Sequence, residues 1–250
     1  FILSRFHDYY CQTTKIGILP LRTDRYVTGG DVIKWQGIDF RVLNTPGYTK
    51  GAVSYIAEID MKKFAFVGDL IFGEGKIFDL YSFQDSFSEI RGYHGYAARV
   101  GKLLSSLQVI AAERPDFIVP SRGPVISHPG DAIQKLIQTI RQLYSNYMSI
   151  SAYRWYYPEQ MNALADSIVG SSENVDWMPY SSVILRDTPA WYKHISNSNL
   201  VLSADSSAFL IDCGTKEAFG EILKMKNSGR IKRLDGVFIT HYHDDHTDLI

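Results

Sequence analysis

The chain has 250 residues, 45% hydrophobic and 21% charged, with a formal net charge of −1. This is the composition of globular protein, enough for one large domain or parts of two, and it excludes a disordered polyelectrolyte. The near-neutral charge gives no support to a polyanion-binding surface, so no nucleic acid is indicated as a partner. No apolar run reaches the ~20 residues of a membrane-spanning helix, and no secretory leader is visible at the start. The two cysteines, Cys11 and Cys213, are too few for a disulfide framework and point to a reducing, cytoplasmic setting.

The chain opens on the apolar run Phe1-Ile2-Leu3. Alternation predicts a strand over residues 38–43, a second over 52–59 and a third over 64–67, with polar Asp60 to Lys63 as a hairpin turn. The third ends on Gly68-Asp69. Ala97, Val100, Leu104, Leu107 and Ala111 recur at helical spacing and predict a helix over 96–112, stopped by Pro115. A short strand over 116–119 leads into the loop Pro120-Ser121-Arg122-Gly123-Pro124. Residues 131–148 read as an amphipathic helix with Ile133, Leu136, Ile137, Ile140, Leu143, Tyr144 and Tyr147 inward.

From 151 to 197 the periodicity weakens, and Trp155, Trp177, Trp191 and many tyrosines predict an ordered connection rather than a disordered linker. Strands over 200–203 and 208–211 flank the turn Asp205-Ser206. A helix over 215–227 follows, with Phe219, Ile222 and Leu223 inward and Ser228-Gly229 ending it. A buried strand over 237–239 then delivers His241.

His241, His243, Asp245 and His246 fall within six positions. Two residues apart after a strand, His241 and His243 can point the same way. Three imidazoles and a carboxylate suit zinc, with iron or manganese as further candidates. A chance run of His and Asp in a surface loop is the competing reading, and the apolar strand and Thr240 ahead of the motif argue against it.

Thr240-His241-Tyr242-His243-Asp244-Asp245-His246 resembles the metal-binding motif of the metallo-β-lactamase superfamily. The strand, turn, strand, Ile211-Asp212-Cys213-Gly214, helix and strand before it resemble the opening half of that αββα sandwich. The resemblance implies an α/β fold and two zinc ions, His241 and His243 binding the first and Asp245 and His246 the second. Asp245 would also orient the nucleophilic water. It further implies a metal-dependent hydrolase of small molecules, metal-bound hydroxide attacking an ester, thioester, lactam or phosphoester.

Earlier segments resemble the closing half of the same fold. Thr45-Pro46-Gly47-Tyr48-Thr49-Lys50-Gly51 looks like the family's Thr-Pro-Gly-His-Thr-x-Gly loop, with Tyr48 in place of the histidine. Gly68-Asp69 matches the segment whose aspartate bridges two metals, so Asp69 is retained. The loop at 120–124 looks like the family's Pro-x-His-Gly-Pro, with Arg122 replacing the last histidine.

The closing half thus precedes the opening half. The organisation expected is 1–150 as a degenerate closing half, 151–197 as the aromatic connection, and 198–250 as the opening half of a second, metal-binding module. Circular permutation is the alternative to such tandem modules. Laying Leu3 on Ile239 matches Ser4-Arg5-Phe6-His7-Asp8-Tyr9-Tyr10 with Thr240 to His246, as a decayed copy would, and favours tandem modules. The first module would be metal-free, with Arg5, Arg122 and Asp69 in a buried ion-pair network. The chain begins inside an apolar run and stops directly after the motif, which reads as a fragment. Competing functions are a non-catalytic interaction module and a di-iron oxidoreductase. The remaining histidines read as helix entry or packing (His94), a solvated turn (His128) and a side chain with no evident partner (His194). Cys213 reads as a small buried apolar residue.

Overall fold

The computed structural model describes residues 23–85, 89–90, 95–179 and 187–250. The chain divides into two compact units, Phe1–Tyr180 and Ser181–Ile250. The α/β class expected from the sequence is present in both, each a β-sheet carrying helices on one face.

In the first unit five strands lie in sequence order: β1 (Val32–Trp35), β2 (Ile38–Asn44), β3 (Val53–Ile59), β4 (Lys62–Gly68) and β5 (Phe117–Pro120). The first four are antiparallel. The β3–β4 hairpin turns on Asp60 and Met61, both at positive φ (50° and 61°), between the paired Ile59 and Lys62. That is the tight turn whose twist matches the flanking strands. β5 is parallel to β4, which demands a long crossover, and the crossover contains α1 (Val100–Ala112). α1 starts later than its periodicity predicts, because Gly95 and Ala97 adopt positive φ (68° and 52°).

Ile56, Ala65, Val67 and Ile118 on one sheet face form the core with Leu103, Leu107 and Ile110 of α1 and with α2 (Pro129–Ser149). In α2, Ile133, Leu136, Ile140 and Tyr144 are buried as expected. Leu143 is not: it lies at the edge of the stripe beside the hydrogen-bonded Gln142 and Asn146 and stays 41% exposed. The opposite sheet face carries an aromatic row, with Phe64 stacked on Phe117 at 5.2 Å.

The aromatic stretch after α2 is divided. Its first part forms α3 (Tyr153–Tyr156) and α4 (Pro158–Val169), and α4 packs on α1 and α2 through Met161, Leu164, Ala165 and Ile168. Pro158 opens α4 and Gly170, at φ 99°, closes it. Trp177 is held by an indole bond to the Ser172 carbonyl (2.8 Å) and by Arg154, 4.7 Å above its ring. The last part of the stretch supplies the first strand of the second unit.

That unit has the sheet order β6 (Tyr192–Ile195), β7 (Ser198–Leu202), β8 (Ser207–Ile211), β9 (Arg233–Phe238). α5 (Lys216–Asn227) crosses from β8 to the parallel β9. Its N-terminus is capped by the Thr215 hydroxyl, which accepts from the Ala218 amide at 3.2 Å.

Two inward assignments fail here. Phe219 and Leu223 are 47% and 45% exposed, because α5 packs on the core of its sheet through Ile222 and Met225, and the adjacent positions lie about 100° further round the helix. The strand over 237–239 is not buried either: Phe238 is 64% and Ile239 42% exposed. β9 is an edge strand, and Phe238 lies on the face away from α5, against Phe209 at 4.4 Å.

The turn between β7 and β8 contains Asp205, whose carboxyl is held down to about 2 by the Ser207 hydroxyl and amide and by Ser203. A depressed carboxyl stabilises the fold above its unfolded value and loses that contribution as pH falls through its folded one. Wild type therefore exceeds Asp205→Asn in stability above pH ~4, and the difference vanishes as the pH approaches ~2, as urea unfolding at a series of pH values will read.

Candidate metal centre

The parallel pairing of β8 and β9, with Ile211 opposite Phe238, brings the C-terminal ends of both strands together. Asp212 follows β8 in a left-handed conformation (φ 62°), and its amide donates to the Phe238 carbonyl at 2.8 Å. Its side chain is buried, with 2% of the residue exposed, and receives three donors. The Thr240 amide donates to Oδ1 at 2.7 Å, the Thr240 hydroxyl to Oδ2 at 2.7 Å, and His246 Nδ1 to Oδ2 at 2.9 Å. Burial alone would push this carboxyl up. The Thr240 amide, the His246 ring and the Thr240 hydroxyl outweigh it and hold the carboxyl below its usual range.

These bonds decide where the imidazole protons sit. His246 donates from Nδ1, so the neutral ring keeps its lone pair on Nε2. The Thr240 hydroxyl spends its proton on Asp212, so toward His241 Nδ1, at 3.1 Å, it can only accept. His241 thus also keeps its lone pair on Nε2.

α6 (Asp244–Thr247) completes the site. It is tied to the end of β8 by the Cys213 amide bond to the His246 carbonyl (2.8 Å) and the Leu249 amide bond to the Cys213 carbonyl (2.9 Å). A side chain at Gly214 would put its Cβ 2.1 Å from the Asp245 carbonyl carbon and 2.3 Å from the Asp244 oxygen and His246 nitrogen. Only glycine lets the turn seat there.

The structure sets the four motif residues in two neighbouring pairs. His241 Nε2 lies 3.1 Å from His243 Nδ1, and the His241 and His246 rings are 4.0 Å apart. Asp245 Oδ2 is 3.4 Å from His246 Nε2. Two ligands on one tetrahedral zinc, at 2.0–2.1 Å each, are separated by about 3.3 Å. Both pairs are near that spacing, and the donor types suit zinc, so the residues fit the metal pairwise. Among the described residues, no three His, Cys, Asp or Glu side chains form a group that could hold an ion together. His241 and His243 are exposed.

Asp69 belongs to the first unit, just beyond β4. Its Oδ1 lies 3.8 Å from Arg122 Nε, and Arg122 sits 4.2 Å over the Phe78 ring. Asp69, Tyr48, Thr45 and Ser121 line one pocket of about 230 Å³. The loop carrying Tyr48 is fastened by the buried Arg99, which donates to the Gly47 and Tyr48 carbonyls at 3.1 and 3.2 Å. Of the expected buried ion-pair network, the described residues contain Arg122 and Asp69, and these form a loose pair that is not buried: the Arg122 side chain is 45% exposed, its guanidinium resting on the Phe78 ring. Arg5, His7, Tyr9, Tyr10 and His94 lie outside the described residues. His128 is exposed at the start of α2, and His194 pairs with Asn199 Oδ1 at 3.0 Å. Cys213 is buried and burial raises its thiol. No helix among the described residues is long and apolar enough to cross a membrane.

The role of Asp212 is not readable from the sequence. Its position between an apolar strand and Cys213-Gly214 marks a strand end, but its partners lie 28 and 34 positions further on.

Residues 191–247 match the family described as the metallo-beta-lactamase superfamily. Solved structures similar to the chain include a metallo-beta-lactamase family protein from Thermus thermophilus, at 15% identity over 68% of this chain and 57% of that one, with a TM-score of 0.38. Another is a metallo-beta-lactamase from Staphylococcus aureus subsp. aureus COL, at 17% identity over 94% and 61%, with a TM-score of 0.33. An archaeal superfamily protein from Sulfolobus tokodaii matches at 16% identity over 62% and 57%, with a TM-score of 0.33. The chain spans about half the length of the first solved structures it matches. At these identities and scores no residue role passes from those proteins to this chain.

Asp212→Ala strands the Thr240 amide and hydroxyl and His246 Nδ1. An orphaned donor costs about 1–3 kcal/mol when fully buried, and these are part-buried so that water recovers much of it; a loss of about 2 kcal/mol in urea unfolding is expected. A change below about 1 kcal/mol would contradict this account of the carboxylate.

Proposed function

From the match of residues 191–247 to the metallo-beta-lactamase superfamily, we propose that this chain carries the metal-binding half-site of a metal-dependent hydrolase. The observation that carries the reading is the Asp212 network, which leaves lone pairs on His241 Nε2 and His246 Nε2 beside further donors. His241 with His243, and Asp245 with His246, would hold the two ions, zinc by donor type, with iron or manganese as substitutes. When bound, such an ion brings the pKa of a coordinated water to about 7 and so supplies hydroxide at neutral pH.

The chain's own contribution is to fix imidazole tautomers through Asp212 and Thr240, and to present the Asp245 carboxylate as ligand and water-orienting group. Esters, thioesters, lactams and phosphoesters of small molecules are the substrate classes this chemistry serves.

A second reading concerns the first unit alone. Arg122 is a permanent cation that cannot ligate, and it stands next to Asp69. This supports a non-catalytic module at 1–150 whose pocket does not take a metal, with the metal assigned to the 241–246 donors rather than to Asp69. Tandem modules, one decayed and one metal-binding, are the arrangement this reading favours.

Elemental analysis of the purified chain, equilibrated with zinc at neutral pH and desalted, tests both. Bound zinc is expected in wild type, sharply reduced by the double change His241→Ala/His243→Ala and unchanged by Asp69→Asn. A folded wild type without metal would sink the hydrolase reading. Loss of metal in Asp69→Asn would sink the second.

A further inference from the structure

The hairpin between β6 and β7 turns on two residues, Ser196 and Asn197, between the paired Ile195 and Ser198. Ser196 adopts positive φ (52°) to make the turn, and Ile195 and Ser198 are buried at 6% and 0% exposure. The tip is therefore exposed, but its two ends are clamped in the sheet. From it the Asn197 side-chain amide donates to Asp245 Oδ2 at 2.5 Å, across 48 positions of chain. The donor is unambiguous, since an ionised carboxylate can only accept.

Asp245 needs such a partner. It sits on α6, a single helical turn, and its side chain is 55% exposed. Oδ2 is also the oxygen facing His246 Nε2, at 3.4 Å. An sp² oxygen has two lone pairs, so the Asn197 bond leaves one for a cation shared with His246.

We propose that Asn197 is a positioning residue for Asp245, holding its carboxylate beside His246 at the separation expected of two ligands of one ion. This rests on the hydrolase reading above and adds to it a residue outside the motif. Asn197 acts through Asp245 and touches no ion itself. Outer partners of this kind are worth about tenfold to a hundredfold in metal affinity, and the exposure of this one puts it at the lower end.

Cobalt(II) titration of the full chain tests this, reading both affinity and the visible d–d bands that report ligand geometry. Asn197→Ala and the isosteric Asn197→Asp, which cannot donate, are expected to weaken cobalt binding about tenfold and alter the bands. The melting temperature of the metal-free chain should not move. Asn197→Gln, which keeps the amide donor, should recover most of the affinity. An Asn197→Ala chain that binds within about twofold of wild type with unchanged bands overturns the proposal while leaving the hydrolase reading intact. So does a loss of affinity that follows a lowered melting temperature and is not rescued by glutamine. If Asn197→Asp binds more tightly than wild type, position 197 is a ligand site and the positioning role is wrong. A wild-type chain that takes up no cobalt overturns both readings together.

Discussion

A buried carboxylate with three donors holds the end of the second unit in place. Asp212 is expensive to bury as an ion, and burial is the largest influence on its carboxyl. It stays ionised because Thr240 and His246 converge on it. The convergence depends on the parallel pairing of β8 and β9, which sets Asp212 and Thr240 side by side. It depends also on Gly214, whose missing side chain admits the turn that carries His246. The same bonds that settle the charge on Asp212 settle the tautomers of His246 and His241. Stability and the orientation of the imidazole donors are thus coupled through one residue that is not itself a candidate ligand.

The two units illustrate different ways of meeting a similar demand. On the function proposed above, the imidazole lone pairs and the Asp245 carboxylate around 240–246 would meet a cation supplied from outside the chain. Around Asp69, the cation is covalently part of the chain: Arg122 stands beside the carboxylate and rests on Phe78. At 3.8 Å and half-exposed, that pair contributes little to stability. What it does is set a permanent positive charge beside the Asp69 carboxylate. Arg99 does more structural work there, fastening the loop at 46–48 to the start of α1 through backbone carbonyls.

How much of this was legible follows from the range of each interaction. Strand alternation is local, and β2, β3, β4, β5 and β8 lie where alternation and apolar runs predict them. β1 and β6 are short strands formed by pairing across two-residue turns, so little in their own four residues announces them. α4 was legible in principle: Met161, Leu164, Ala165 and Ile168 have helical spacing, with Pro158 and Gly170 as its bounds. The surrounding tyrosines and tryptophans masked it.

Burial was less legible than periodicity. Phe219 and Leu223 have the composition of an inward face, yet Ile222 and Met225 make the contact, because the sheet decides which side of α5 is inside. The metal motif could be read because its donors lie within six positions, and nothing outside them is needed to see their chemistry. Asp212 and Asn197 could not, because each acts on residues at least 28 positions away, brought near only by sheet register and a hairpin tip. Donor identity is therefore a property of the local sequence here, whereas donor orientation is a property of the fold. A segment that keeps the motif but loses the strand pairing around it would keep its donors and lose the arrangement that sets them side by side.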